Sequence, residues 1–197
     1  MPEELAWSPG IGDPTPVGWF IVAAYAGVAA LCARVAAELR AAREPAGDDR
    51  WLARYWVGLT LLFAFLAFNK QLDLQSLFTE VARHWALTSG WYEDRGPVIV
   101  TFILTLGVGS VVLLVWLVRA TRHHLRTLRL SLFGLGFTLA FIVLRASSAH
   151  GVDGFLGRVF LGLPWNHILE LTGITLVGLA ALRARSVDGP AFSAHTA

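Results

Sequence analysis

The chain alternates between long uncharged stretches and short segments crowded with charge, proline and glycine. Pro14 to Ala33 carries no charged residue. At 1.5 Å per residue, a helix of that length crosses a hydrocarbon layer of about 30 Å. This pattern predicts a first membrane span over residues 17–37, with Arg34 reaching toward the headgroups along its alkyl stem. A polar turn from Arg40 to Arg50 follows, and then a second span over 52–69 that opens with the interfacial aromatics Trp51, Tyr55 and Trp56. The third span, 97–118, is the clearest, because Gly96 to Val118 is free of charge. The fourth covers 128–145, with Arg129 and Arg145 at its limits. The fifth, 165–182, can open after Pro164 and closes at Arg183 and Arg185. Its uncharged run, Leu171 to Leu182, is short, so four spans plus a re-entrant element is the alternative.

Two segments between spans have amphipathic spacing. In residues 73–86, Leu74, Leu77, Phe78, Val81 and Trp85 share a helical face, with Asp73 as N-cap and Gly90 as stop. Residues 155–163 repeat the pattern more weakly through Phe155, Leu156, Val159, Phe160 and Leu163. Both are expected as helices lying in the membrane surface. Residues 1–16, rich in proline and glycine, form an extramembrane arm, and residues 186–197 a tail.

Composition turns this pattern into a fold class. Hydrophobic residues make up 55% of the 197, mean hydropathy is +0.58 and only 15% are charged, where soluble domains carry about a quarter. A chain this short and this apolar cannot hide its hydrophobic residues in one water-soluble core. The expectation is an all-α, polytopic membrane helix bundle of about five spans and two interfacial helices, with residues 17–185 as one unit. The acidic, proline-bearing start, Met1-Pro-Glu-Glu, lacks the basic region of a cleavable signal. A net charge of +2 gives no footing for nucleic acid. One cysteine, Cys32, excludes an internal disulfide or a zinc ribbon.

Arginine placement predicts orientation. With the N-terminus outside, eleven basic residues fall on the cytoplasmic side, including Arg34, Arg40, Arg119, Arg122, Arg129 and Arg183. Five fall outside: Lys70, Arg83, Arg95, Arg145 and Arg158. Positive charge accumulates inside, so the C-terminus is expected in the cytoplasm. There the Arg119–Arg129 turn, with His123 and His124, would meet anionic lipid.

The remaining polar chemistry then gathers at the outer side. His150 and Asp153, and His167 and Glu170, are two His-x-x-acid pairs, a spacing that shares a face on a helix. Imidazole and carboxylate suit zinc or another divalent metal, with His84 or Asp73 as a further ligand. Glu170 stands more than a turn inside the fifth span and needs a partner. Arg145, at the end of the preceding span, is the expected one, as an ion-pair lock or as part of a ligand site. Asn69, Lys70, Gln71 and Asp73 form a second polar knot whose lysine suits an anionic headgroup or carboxylate. Asn166 adjoins His167. Only a shallow haem is open to these histidines, since none lies at mid-membrane. No Gly-x-Ser-x-Gly elbow supports Ser147 or Ser148 as a nucleophile.

Three functional readings follow. The first is a non-catalytic subunit or ligand-binding module of a membrane assembly, with lipids and other membrane subunits as its partners. The second is an outward-facing, metal-dependent hydrolase of a lipid or lipid-linked substrate. It would use His150, Asp153, His167 and Glu170 as ligands, Glu170 or His150 in catalysis and Lys70 as anion contact. The third, weaker reading is a proton-coupled carrier centred on Glu170.

Overall fold

The computed structural model describes residues 13–41, 47–72, 74–90, 95–147, 159–160 and 163–187. Six α-helices account for nearly all of them: α1 (Pro16–Ala41), α2 (Gly47–Leu72), α3 (Leu74–Thr88), α4 (Arg95–Ala120), α5 (Leu125–Ser147) and α6 (Trp165–Val187). A 3₁₀ turn, Arg122–His124, joins α4 to α5. All but α3 are long and apolar enough to cross a membrane.

Helix α1 shows why it forms where it does. Thr15 caps it, its Oγ1 accepting from the Gly18 amide at 3.0 Å, and Pro16 takes the first helical position, where its missing N–H costs nothing. Its buried positions, Gly18, Ile21, Tyr25, Val28, Ala29, Cys32, Val35 and Ala36, recur at the three-and-four spacing of one helical face. Against that face pack Tyr55, Trp56, Leu59, Phe63 and Leu66 of α2 and Ile174, Val177 and Ala181 of α6.

Close approach decides the rest of the order. At Gly134 of α5 a Cβ would lie 2.8 Å from the Val177 backbone nitrogen of α6, and at Gly173 of α6 one would lie 3.2 Å from the Thr138 nitrogen of α5. Those two contacts make α5 and α6 antiparallel and pressed backbone to backbone. Gly178 of α6 meets Val28 of α1. Since Tyr25 meets Glu170 further up, α1 and α6 run the same way. Gly136 meets Leu114, and Gly107 meets Val143, so α4 runs antiparallel to α5. Neighbours therefore follow the order α2–α1–α6–α5–α4, alternating in direction along the chain, and the bundle closes on itself at one end, where Trp51 of α2 lies 6.3 Å from Trp116 of α4. Tyr55 of α2 also reaches Ser131 of α5 by a hydroxyl–hydroxyl bond of 2.9 Å.

Helix α4 is the least covered of the long helices. No residue of its most apolar stretch is buried, and Val108, Val111, Val112 and Trp116 are each more than half exposed. Helix α3 is the amphipathic segment expected after the second span, with Val81 and Trp85 exposed and Ala86 buried. The second expected surface helix, 155–163, is corrected where it is described. Val159–Phe160 instead pairs antiparallel with Leu163–Pro164. Val159 and Phe160, β-branched and aromatic, favour extended backbone over a helical turn.

Candidate functional site

A polar cluster lies where the N-termini of α1 and α6 meet the C-terminus of α2. Its centre is Glu170, 6% exposed and the sole carboxylate buried among the described residues. Tyr25 of α1 donates its hydroxyl to Oε1 at 3.1 Å. Lys70, in the last turn of α2, donates its ammonium to Oε2 at 3.1 Å. A carboxylate taken out of water is tolerated only with such partners. The ion pair belongs to Lys70, not to the expected Arg145. Arg145 remains close enough for its charge to act on the His167 ring.

Above Glu170 sits Asp13, just before α1. Its Oδ1 accepts from the Thr15 amide at 3.2 Å and from the Thr15 hydroxyl at 2.6 Å, an Asx turn. Its Oδ2 points inward, 3.7 Å from Lys70 Nζ and 3.7 Å from His167 Nε2. Burial pushes the Asp13 carboxyl up. The two Thr15 bonds and the charges of Lys70 and His167 outweigh it and hold the group below the ordinary carboxylate value. A side chain at position 18 would run into Asp13, so Gly18 makes room for the turn.

Of the residues singled out in the sequence, Lys70, His167 and Glu170 come together. Asn166 acts locally, its Oδ1 accepting from the His167 amide at 2.9 Å. Asn69 is half-buried beside Lys70 in sequence. His84 lies on α3, where its carbonyl accepts from Thr88. His150, Asp153 and Asp73 fall outside the described residues. Tyr25 and Asp13 are the members that sequence reasoning missed. Asp13-Pro14-Thr15-Pro16 was legible as a turn leading into a capped helix, whereas nothing local marks Tyr25.

The expected metal set is only partly within view, because His150 and Asp153 lie outside the described residues. Among the described residues no group of three or more His, Cys, Asp or Glu side chains is arranged to hold a metal ion. The lysine ammonium lies within 4 Å of both carboxylates, where a cation would be needed, and so supplies that positive charge itself. Two further features bear on what the cluster can do. His167 Nδ1 and both amide atoms of Gln71 are buried without a hydrogen-bond partner. On the inner side the polar chain stops at Tyr25, whose ring packs 5.8 Å from that of Phe63, with Ile21 and Val28 on the same face. The arrangement can bind and orient charge at one end of the bundle, and among the described residues it offers no continuous polar path beyond Tyr25. No protein-family model, curated protein or solved structure matches the chain.

Proposed function

We propose that the chain is a small integral membrane protein that serves as a subunit of a larger membrane assembly and presents α4 to its partner. The observation behind this reading is the state of α4, which packs mainly on α5, meets α2 through Trp116 and Trp51, and buries none of its apolar stretch. Lipid accepts any apolar face, but α4 is shaped for more than lipid. Phe102, Thr105, Leu106, Gly109, Ser110 and Leu113, with Leu139 of α5, line an apolar groove of about 380 Å³. The Thr105 and Ser110 hydroxyls turn back onto the carbonyls of Thr101 and Leu106, each at 2.8 Å, so the groove offers shape rather than polarity. Gly109 has nothing within 4 Å. Helices in lipid gain nothing from simple hydrophobicity and associate where small residues let backbones approach.

Arginine-rich ends then face the cytoplasm, the Asp13–Lys70–Glu170 cluster faces outward, and Trp85 of α3 lies at the lipid surface. The hydrolase reading has no assembled ligand set behind it among the described residues. The carrier reading has no polar route beyond Tyr25 behind it among the described residues. Extraction in a mild detergent followed by light scattering tests the proposal. The protein is expected with a second copy or another membrane protein, and Gly109→Trp should abolish that association. A stable, partner-free monomer from native membranes would overturn it.

A further inference from the structure

We propose that α5 carries a seat for an anionic phospholipid at the end of the bundle away from Glu170, with the headgroup phosphate on Arg126 and Arg129 and an acyl chain along Phe133 and Phe137. These four residues follow one another at steps of three and four, so they share one helical face. That face is turned away from the core. Both arginines are exposed. Phe133 is 72% exposed, the most of any large apolar side chain among the described residues, and Phe137 is 38% exposed. Leu128, Ser131, Leu132 and Leu135 take the buried side. At 1.5 Å per residue, Phe137 lies about 12 Å along the helix from Arg129, within the roughly 15 Å of hydrocarbon in one leaflet. There an apolar pocket of about 170 Å³ begins, lined by Phe137, Ala140, Phe141 and Leu144 with Leu169 of α6.

Charge selects the lipid. From Arg95 to Ser147, through α4, the turn and α5, the chain contains no aspartate or glutamate. Arg119 and Arg122 are exposed at the same end, and none of the four arginines forms an ion pair with a described residue. Arg122 donates Nε to His123 Nε2 at 3.1 Å, which uses one of its five N–H groups. Guanidinium groups match phosphate oxygens in pairs, and the excess positive charge favours a lipid of net negative charge over a zwitterionic one. Helix α2 supplies the contrast. Its exposed arginines at that end, Arg50 and Arg54, follow Asp48 and Asp49, and a turn beyond Arg54 stands Gly58 instead of an aromatic.

The seat shares no residue with the α4 groove, so either reading can fail alone. The full chain, purified in detergent, is titrated with dioleoyl phosphatidylglycerol or dioleoyl phosphatidylcholine, and bound lipid is counted by native mass spectrometry. Wild type should hold phosphatidylglycerol about tenfold more tightly. Arg126→Gln with Arg129→Gln should remove that preference. Phe133→Ala leaves the charge unchanged and should weaken phosphatidylglycerol about threefold or more. Arg50→Gln with Arg54→Gln removes the same charge from α2 and should leave the preference in place. Glycerol phosphate, a headgroup without chains, should not displace the lipid. No preference in wild type, a preference that survives Arg126→Gln with Arg129→Gln or falls equally in the α2 variant, affinity untouched by Phe133→Ala, or displacement by glycerol phosphate would each overturn the assignment.

Discussion

Replacing Lys70 by Met removes the ammonium 3.1 Å from a carboxylate that is 5% exposed. Glu170 then keeps the Tyr25 hydroxyl but loses its counter-charge. Breaking a buried ion pair from one side costs about 3–5 kcal/mol. Lys70 is itself 18% exposed, so part of the pair is hydrated and the lower end, about 3 kcal/mol, is the expected loss. Replacing both Lys70 and Glu170 by Met removes the stranded charge and should cost about 1 kcal/mol or less. The coupling between the two positions is then about 2 kcal/mol or more. Reversible unfolding in mixed micelles, followed by fluorescence of the eight tryptophans, supplies the four free energies of the cycle. Arg83→Ala is the control. Its 4.0 Å pair with Glu80, with Arg83 55% exposed, should contribute under about 1 kcal/mol. Equal costs for Lys70→Met and Arg83→Ala, or a double replacement equal to the sum of its parts, would refute the claim that burial gives the pair its weight.

Other expectations follow from the same packing. Gly134→Ala should destabilise by about 1–3 kcal/mol, because its Cβ meets backbone of α6; Gly27→Ala and Gly58→Ala, open within 4 Å, should be neutral or stabilising in the same unfolding assay. Tyr25→Phe should cost about 1.5–3 kcal/mol by removing a donor to a charged acceptor. Asp13 should give a pH-dependent term. Its folded carboxyl titrates below its ordinary value, so its contribution is full above about pH 4 and is lost as pH falls through the lowered value. Thermal midpoints of wild type and Asp13→Asn should therefore differ above that pH and converge in stronger acid; a constant difference would contradict the assignment.

The long helices were legible because charge is absent over whole membrane thicknesses, and α3 because its apolar residues keep helical spacing. Glu170 was legible as a problem, since a carboxylate in an apolar helix must find a partner. Its partner was not. Arg145 was expected because consecutive helices are usually neighbours, and α5 and α6 are indeed neighbours. But α6 also lies along α1, and the antiparallel α1–α2 pair carries Lys70 to the same end. That coincidence of three helix ends depends on packing at Gly134, Gly173 and Gly178, which the sequence marks only as small residues. Asp13 was overlooked for a simpler reason. It was grouped with an irregular arm, although Thr15 and Pro16 already announce a capped helix with a turn before it. The pairing of Val159–Phe160 with Leu163–Pro164 shows that a few apolar residues cannot distinguish a helical turn from a short antiparallel strand pair.

Crosslinking along α4 in intact membranes bears most directly on the subunit reading. Single photoreactive residues at Phe102, Gly109 and Leu113, in the groove, and at Val108, Val112 and Val115 elsewhere on the helix, are compared. The account predicts a discrete heavier protein adduct from the groove positions and lipid adducts from the others. Lipid adducts alone at all six would contradict it.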